Sequence, residues 1–451
     1  MILALKDNFQ FIIILLSWLI VGIYGGPVAY VYIPLTVLLL KMKGLYEEMF
    51  LGFWFLLILS DSLEPSMKFA QNTKNIYIVL LAGLFFLNQK DFRPINHLFQ
   101  KFSPFFLIAV IALAYSETFL ISLQKTISYF LIFMIAPNYM IKIYHDNGNS
   151  FLKKLVYFIT AILIVGLILK VLMPEIAASH GGRFRGIFGN PNGLAIFCIL
   201  SFLLTYLINH FRPLLFSRNE KIFIFSVVLL SLILTGSRSA AVALAIFLGF
   251  ARFFKISPFF GFMVLIIAIV LYELIGANYV AIIRYLGLES FFRLETLEKG
   301  GGRYIAWAFA WEQIQHNFFL GKGIAFDEYF MRKNYNLLSR LGHEGGVHNS
   351  YLILWLNTGI IGLMLFLRSF FLSFSRANKT TKLAYPIMFA IMFTINFEPW
   401  IVSSLNPFTI IFLMIITLMS DKVFHEKEQE NVEKLVENEL LEDKEILLVD
   451  K

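Results

Sequence analysis

The residues of this chain best suited to chemistry are cationic and lie in one short stretch, Arg183-Phe184-Arg185-Gly186-Ile187-Phe188-Gly189-Asn190-Pro191-Asn192. Two guanidinium groups stand there at the mouth of an apolar segment. Arginine presents a planar fork of donors that matches phosphate oxygens, and it stays charged at any physiological pH. At a bilayer surface such groups are costly unless they hold an anion, so a lipid-linked phosphate is the first ligand to consider. The alternative is that they snorkel to lipid headgroups. His180-Gly181-Gly182 makes the approach pliable, and Pro174 ends the helix before it. Asn190-Pro191-Asn192-Gly193 then reads as a turn and N-cap opening the next helix, whose free N–H groups favour anions.

Further along, Thr235-Gly236-Ser237-Arg238-Ser239 interrupts a long apolar stretch as a tight hairpin with Arg238 at its tip. That arginine either snorkels or lines a cavity. Gly300-Gly301-Gly302-Arg303-Tyr304 precedes Trp307, Trp311 and Ile314 at helical spacing, which predicts a helix starting near Arg303 whose aromatic face packs on the rest of the protein. His316 falls near the end of that helix, an ordinary structural position. His343-Glu344-Gly345-Gly346-Val347-His348-Asn349 is the last polar element before another apolar run. An imidazole at that lip is suited to take a proton from a sugar hydroxyl near neutral pH, so His348 is the candidate base, with His343 and Glu344 as local competitors. No HExxH or comparable spacing appears, so neither a metal nor another cofactor is expected.

The elements that position these groups are membrane spans. Hydrophobic residues make up 58% of the 451, with 50 phenylalanines, and the mean hydropathy is +0.73. Apolar runs of about 15–22 residues recur from end to end, which predicts an all-α polytopic membrane protein. The candidate spans are 9–25, 27–41, 46–60, 75–88, 103–115, 117–140, 152–173, 187–209, 221–235, 239–254, 257–276, 349–371, 383–397 and 405–420. Several early ones are short, so about 12 to 14 cross. The first reads as an uncleaved helix rather than a leader. Lys41, Lys43, Lys90, Arg93, Lys101, Lys142, Lys153, Lys154, Arg212, Arg218, Lys221, Arg252, Lys255, Arg368, Arg376, Lys379 and Lys382 fall on one side. The short loops of the other side carry only Lys68, Lys74, Arg183, Arg185 and Arg238. The positive-inside rule makes the first side cytoplasmic, with both termini. The membrane domain then takes 1–420, including a large outer loop at 277–348, and 421–451 is a charged cytoplasmic tail with amphipathic helical spacing. Cys198, the lone cysteine, lies inside an apolar run, which excludes an intramolecular disulfide. The net charge of +8 resides in these loops and does not point to nucleic acid.

Four elements in this order resemble the O-antigen ligase family and the related O-antigen and capsule polymerases. The family's Arg-x-x-Gly-x-Phe-x-Asn-Pro-Asn pattern matches the stretch from Arg183 to its Asn192. Its Ser-Arg hairpin matches Ser237-Arg238, its loop Arg with spaced Trp matches Arg303 and Trp307, and its His-Asn helix start matches His348-Asn349. Gly359 and Gly362 also fit. The resemblance covers about 180–370; the first 170 residues share only the multi-span character.

The resemblance implies a metal-independent, inverting glycosyltransferase of the bacterial inner membrane with its site facing the periplasm. Its donor is a glycan on undecaprenyl diphosphate. The acceptor is lipid A–core for a ligase, the favoured reading, or a growing glycan for a repeat-unit polymerase. His348 would activate the acceptor hydroxyl, Arg183, Arg238 and Arg303 would hold the diphosphate, and Arg185 is an additional cation. Asn192, Asn349 and Glu344 would support them, and membrane lipids would surround the whole. The competing class is a lipid-linked oligosaccharide flippase or transporter. Such a protein is expected to carry mid-bilayer charge, for which Gln124-Lys125 is the nearest candidate, and often an internal repeat.

Overall fold

The computed structural model describes residues 9–179, 181–276, 284–285, 303–343 and 345–425. Glu344, the three glycines at 300–302 and the tail from 426 onward lie outside the described residues. The chain is an all-α membrane protein. Its helices are α1 Phe9–Tyr24, α2 Ala29–Met42, α3 Tyr46–Asp61, α4 Lys68–Leu87, α5 Leu98–Ala112, α6 Phe119–Asn147, α7 Asn149–Leu172 and α8 Pro174–Ala177. There follow α9 Pro191–Phe211, α10 Arg218–Thr235, α11 Arg238–Ile256, α12 Pro258–Gly276, α13 Arg303–His316, α14 Phe326–Lys333, α15 Tyr335–Arg340, α16 Ser350–Ala377, α17 Ala384–Ile395 and α18 Pro407–Ser420. Among the described residues, six helices are long and apolar enough to cross a membrane by length and composition, and shorter apolar helices accompany them.

Each expected span has its helix, but the ends differ where polar chemistry intervenes. The span predicted at 187–209 begins at Pro191, because Asn190 caps α9 by accepting from the Gly193 N–H at 2.8 Å. Asn349 caps α16 and Asn406 caps α18 in the same way. Proline at the first helical position follows two of these caps, where its missing N–H costs nothing. Gly236 ends α10 in a left-handed conformation, and α11 starts at Arg238. α6 and α7 run beyond their apolar stretches, with Lys142 and Asp146 paired one turn apart at 2.6 Å on the extension.

Burial sorts the helices into a core and a rim. In α18 every residue from Pro407 to its Met419 is buried, and α3 and α9 are nearly as enclosed. Helices apolar all round belong in the interior, whereas α1, α2 and α11 expose Ile13, Leu16, Val31, Leu35 and Leu248 on outer faces, as a hydrocarbon solvent allows. Because successive spans alternate in direction, the C-terminal ends of α3, α10 and α17 meet the N-terminal ends of α9, α11, α16 and α18 at one end of the bundle.

Two local features were not foreseen. Residues 178–179 and 183–184 pair as a small antiparallel ribbon, Ala178 with Phe184 and Ser179 with Arg183. In addition, α16 is broken at Gly359 (φ 68°, ψ 178°). The segment after α13 fills the break: Lys322 and Gly323 N–H groups donate to the Leu356 and Asn357 carbonyls, and Ile360 N–H donates to that of Phe318. A Cβ on Gly359 would lie 2.0 Å from the Phe319 carbonyl oxygen. Gly359→Ala is therefore expected to cost more than the ~1–3 kcal/mol of a non-glycine residue in such a backbone region. A lower thermal unfolding midpoint in detergent would register it; an unchanged midpoint would mean that the loop does not need the break.

Helix α13 corrects one expectation in detail. Its buried stripe is Ala306, Ala310 and Ile314 rather than the tryptophans. Trp307 is half-buried and donates its indole N–H to the Val347 carbonyl at 2.9 Å. Trp311 stays exposed, edge-on to Trp355 at 5.3 Å. Small residues seat the helix closely, and the large rings flank the contact.

Candidate active site

At the end where these helix ends converge, the site is assembled on a residue that the motifs did not include. Glu398, in the turn between α17 and α18, is only 7% exposed. Its Oε1 accepts from Arg303 Nη2 at 3.1 Å and from Asn192 Nδ2 at 2.8 Å. Its Oε2 lies 3.5 Å from His348 Nδ1. Asn192 in turn accepts on Oδ1 from Arg183 Nη2 at 2.8 Å, while Arg183 Nε donates to the Thr235 carbonyl at 2.7 Å. The amide orientation follows from chemistry: a guanidinium only donates and a carboxylate only accepts, so Asn192 must turn its oxygen to one and its nitrogen to the other. Arg183, Asn192, Glu398, Arg303 and His348 thus form one chain of contacts drawn from four separate stretches, since Arg183 and Asn192 share one.

Each member is held by its own element. Arg183 reaches from the ribbon to the C-terminal carbonyl of α10, where a cation is favoured. Arg238 opens α11 two residues beyond Gly236, whose α-carbon faces Arg183 Nε. Arg303 opens α13, with its guanidinium carbon 5.8 Å from the centre of the Phe397 ring. His348 is stitched to the Glu398 turn through its neighbours: Asn349 Nδ2 donates to Asn396 Oδ1 at 3.1 Å, and Ser350 Oγ donates to the Glu398 carbonyl at 2.9 Å.

His348 itself adopts φ 51°, a left-handed conformation that costs a non-glycine residue on the order of 1–3 kcal/mol. Its Nδ1 is buried and makes no hydrogen bond, so the nearby Glu398 Oε2 is the acceptor it faces. Its Nε2 lies over Gly345, where a Cβ would come within 2.9 Å. The ring is therefore oriented with Nδ1 toward the carboxylate and Nε2 close against Gly345, where a side chain would crowd it. His343 is built differently. It is buried, burial holds its imidazole below the usual value of 6.5, and its Nε2–H donates to the Gly346 carbonyl at 3.1 Å. Its ring centre is 6.2 Å from that of His348.

Arg185 points elsewhere. It is 8% exposed, and it donates to the Ile176 and Gly189 carbonyls and pairs with Glu64 at 2.7 Å. Its charge is spent on holding the ribbon against the α3–α4 turn. Glu344 lies outside the described residues. Asn349 acts through its cap and its bond to Asn396. His316 is exposed at the end of α13.

Glu398 escaped the motif reading, although a signal was present. It is the single charged residue between Lys382 and Asp421. A lone carboxylate in so long an apolar region is costly unless partnered. Among the described residues, no three His, Cys, Asp or Glu side chains are grouped as metal ligands would be.

The arrangement places at least two guanidinium groups, one carboxylate and one oriented imidazole at a single mouth, with a third arginine opening the adjacent helix. Cations fixed by neighbours and an oriented imidazole can neutralise a leaving anion while a proton is removed from an incoming hydroxyl.

One family model matches part of the chain. Residues 223–367 match the family model described as O-Antigen ligase. The matched region contains Arg238, Arg303 and His348; Arg183 and Asn192 precede it, and Glu398 follows it. No curated protein matches the chain.

Proposed function

The match over residues 223–367 supports the O-antigen ligase family, and on that premise we propose that the chain transfers a glycan from undecaprenyl diphosphate to an acceptor sugar hydroxyl. The acceptor is a lipid A–core sugar, and the site faces the periplasm from the inner membrane with both termini cytoplasmic. One observation carries the reading: Arg183 and Arg303 converge with His348 around Glu398.

In this reaction His348 Nε2 takes the proton of the acceptor hydroxyl. The oxygen attacks the anomeric carbon from the face opposite the diphosphate. The bond between that carbon and the phosphate oxygen breaks, and the carrier departs as undecaprenyl diphosphate. The configuration inverts because attack and departure occur on opposite faces. Arg183, Arg238 and Arg303 hold the diphosphate and neutralise the charge that grows on it. Glu398 holds Arg303 and Asn192 in place and turns Nδ1–H of His348 inward, leaving Nε2 as the base. Arginines suffice for charge neutralisation, so the reaction is metal-independent.

The test is transfer by purified protein, with lipid-linked glycan as donor and EDTA present. Wild-type protein should remain active. Arg303→Lys should lose roughly 10–100-fold, because a point charge does not reproduce the fork of a guanidinium on a diphosphate. Inhibition by EDTA that added metal reverses would overturn metal independence, and full activity of Arg303→Lys would remove Arg303 from the diphosphate. Glycan profiling of a deletion strain separates ligase from polymerase. Complete chains left on the lipid carrier mean a ligase, and a single attached repeat means a polymerase.

A further inference from the structure

A cavity opens at the same end of the bundle, near the turn that carries Asn192. Its volume is about 290 Å³, at the low end of the ~300–1,000 Å³ usual for small-molecule sites. Asp61, Lys74, Asn75, Gln124, Ser404 and Asn406 are among the residues that line it. They come from the end of α3, the first turns of α4 and α6, and the segment leading into α18.

Two of its lining residues are bonded to segments that carry the candidate active site. Asp61 Oδ2 accepts from the Gly189 N–H at 3.2 Å, and Gly189 belongs to the same turn as Asn192. Lys74 Nζ donates to the Leu405 carbonyl at 2.9 Å and to Ser60 Oγ at 3.2 Å, which fixes the segment that begins at Glu398. Its charges are balanced internally. Asp61 attracts Lys74, and Lys125 forms an ion pair with Glu328 of α14. Gln124 and Lys125 therefore sit near the loop end of α6, not in the middle of a span.

A cavity whose ions cancel in pairs has little preference for an anion. Serine hydroxyls and the amides of Asn75 and Gln124 both donate and accept hydrogen bonds, as the recognition of a polyhydroxylated ring requires. We propose that this cavity is a saccharide subsite, which seats one sugar unit of the reacting glycans next to the arginine–histidine site. The proposal rests on the reading of the chain as a glycan transferase. The sugar comes from the lipid-linked donor or from the acceptor, and the experiment separates the two.

Gln124 is exposed and Asn75 half-exposed on different helices, so Gln124→Ala and Asn75→Ala spare the core. Steady-state transfer by these variants in detergent should show KM raised about five- to tenfold for one substrate, with kcat nearly kept, as loss of a binding hydrogen bond predicts. The substrate affected identifies the source of the sugar. KM values unchanged for both substrates, or a fall in kcat alone, would overturn the subsite. Saturation-transfer NMR with free hexoses and N-acetylhexosamines as probes provides a readout independent of turnover. If wild-type protein transfers no glycan, the transferase reading fails. A sugar signal lost in both variants would still support the subsite in that event, and equal or absent signals in all three proteins would overturn it.

Discussion

Replacing His348 with alanine should lower glycan transfer by roughly 10²–10⁴-fold, the usual contribution of general-base catalysis, while the protein still inserts and accumulates. The expectation follows from the geometry around the ring. Nδ1 faces Glu398 Oε2 at 3.5 Å, and Nε2 lies over the α-carbon of Gly345. No other histidine at this mouth is so placed, among the described residues: His343 is buried, with its imidazole held below the usual value by that burial and its Nε2–H committed to the Gly346 carbonyl. Initial rates with lipid-linked donor, normalised to protein recovered from membranes, measure the effect. Wild-type rates in the alanine variant would remove His348 from the chemistry.

Glu398→Gln should be almost as damaging, with a loss of at least ~10²-fold. Where a carboxylate orients a catalytic imidazole, as in hydrolase triads, its replacement by an amide costs up to ~10⁴ in rate because the ring is held in the wrong tautomer. Here the amide would also present a donor to the guanidinium of Arg303 or to the Asn192 amide, which now donate to Oε1. Glu398 is a positioning residue, so its test must separate orientation from simple structural support. In a double-mutant cycle, adding Glu398→Gln to His348→Ala should cost much less than Glu398→Gln alone, because residues that act as a unit are not additive. Fully additive losses would mean that Glu398 does not act through His348. An increase in donor KM for the single variant would report the separate loss of its hold on Arg303.

How legible each part was depends on how local its cause is. The turn at Asn190-Pro191 was readable because an N-cap and a first-turn proline act within three residues. The start of α13 at Arg303 and of α16 after Asn349 were readable for similar reasons. The fates of the two neighbouring arginines were not. Arg183 and Arg185 look alike in sequence, yet one reaches Thr235 and Asn192 while the other is consumed by Glu64, more than a hundred residues away. The apolar face of α13 was misjudged because tryptophans dominate any hydrophobic pattern, whereas close approach selects alanine. The break in α16 was hidden because a single Gly359 does not reveal that the segment from Phe318 to its Gly323 will dock against it.

The amino-acid sequence by itself determined the class of protein, the order of its apolar helices and, where a cap marks it, the place where one begins. Each of these follows from apolar runs and caps that act over one or two turns of chain. Only the tertiary structure decided which charges meet. Glu398 lies some 200 residues from Asn192 and about 95 from Arg303. Its role exists only because alternating spans bring their ends to one face, where a buried carboxylate must find partners.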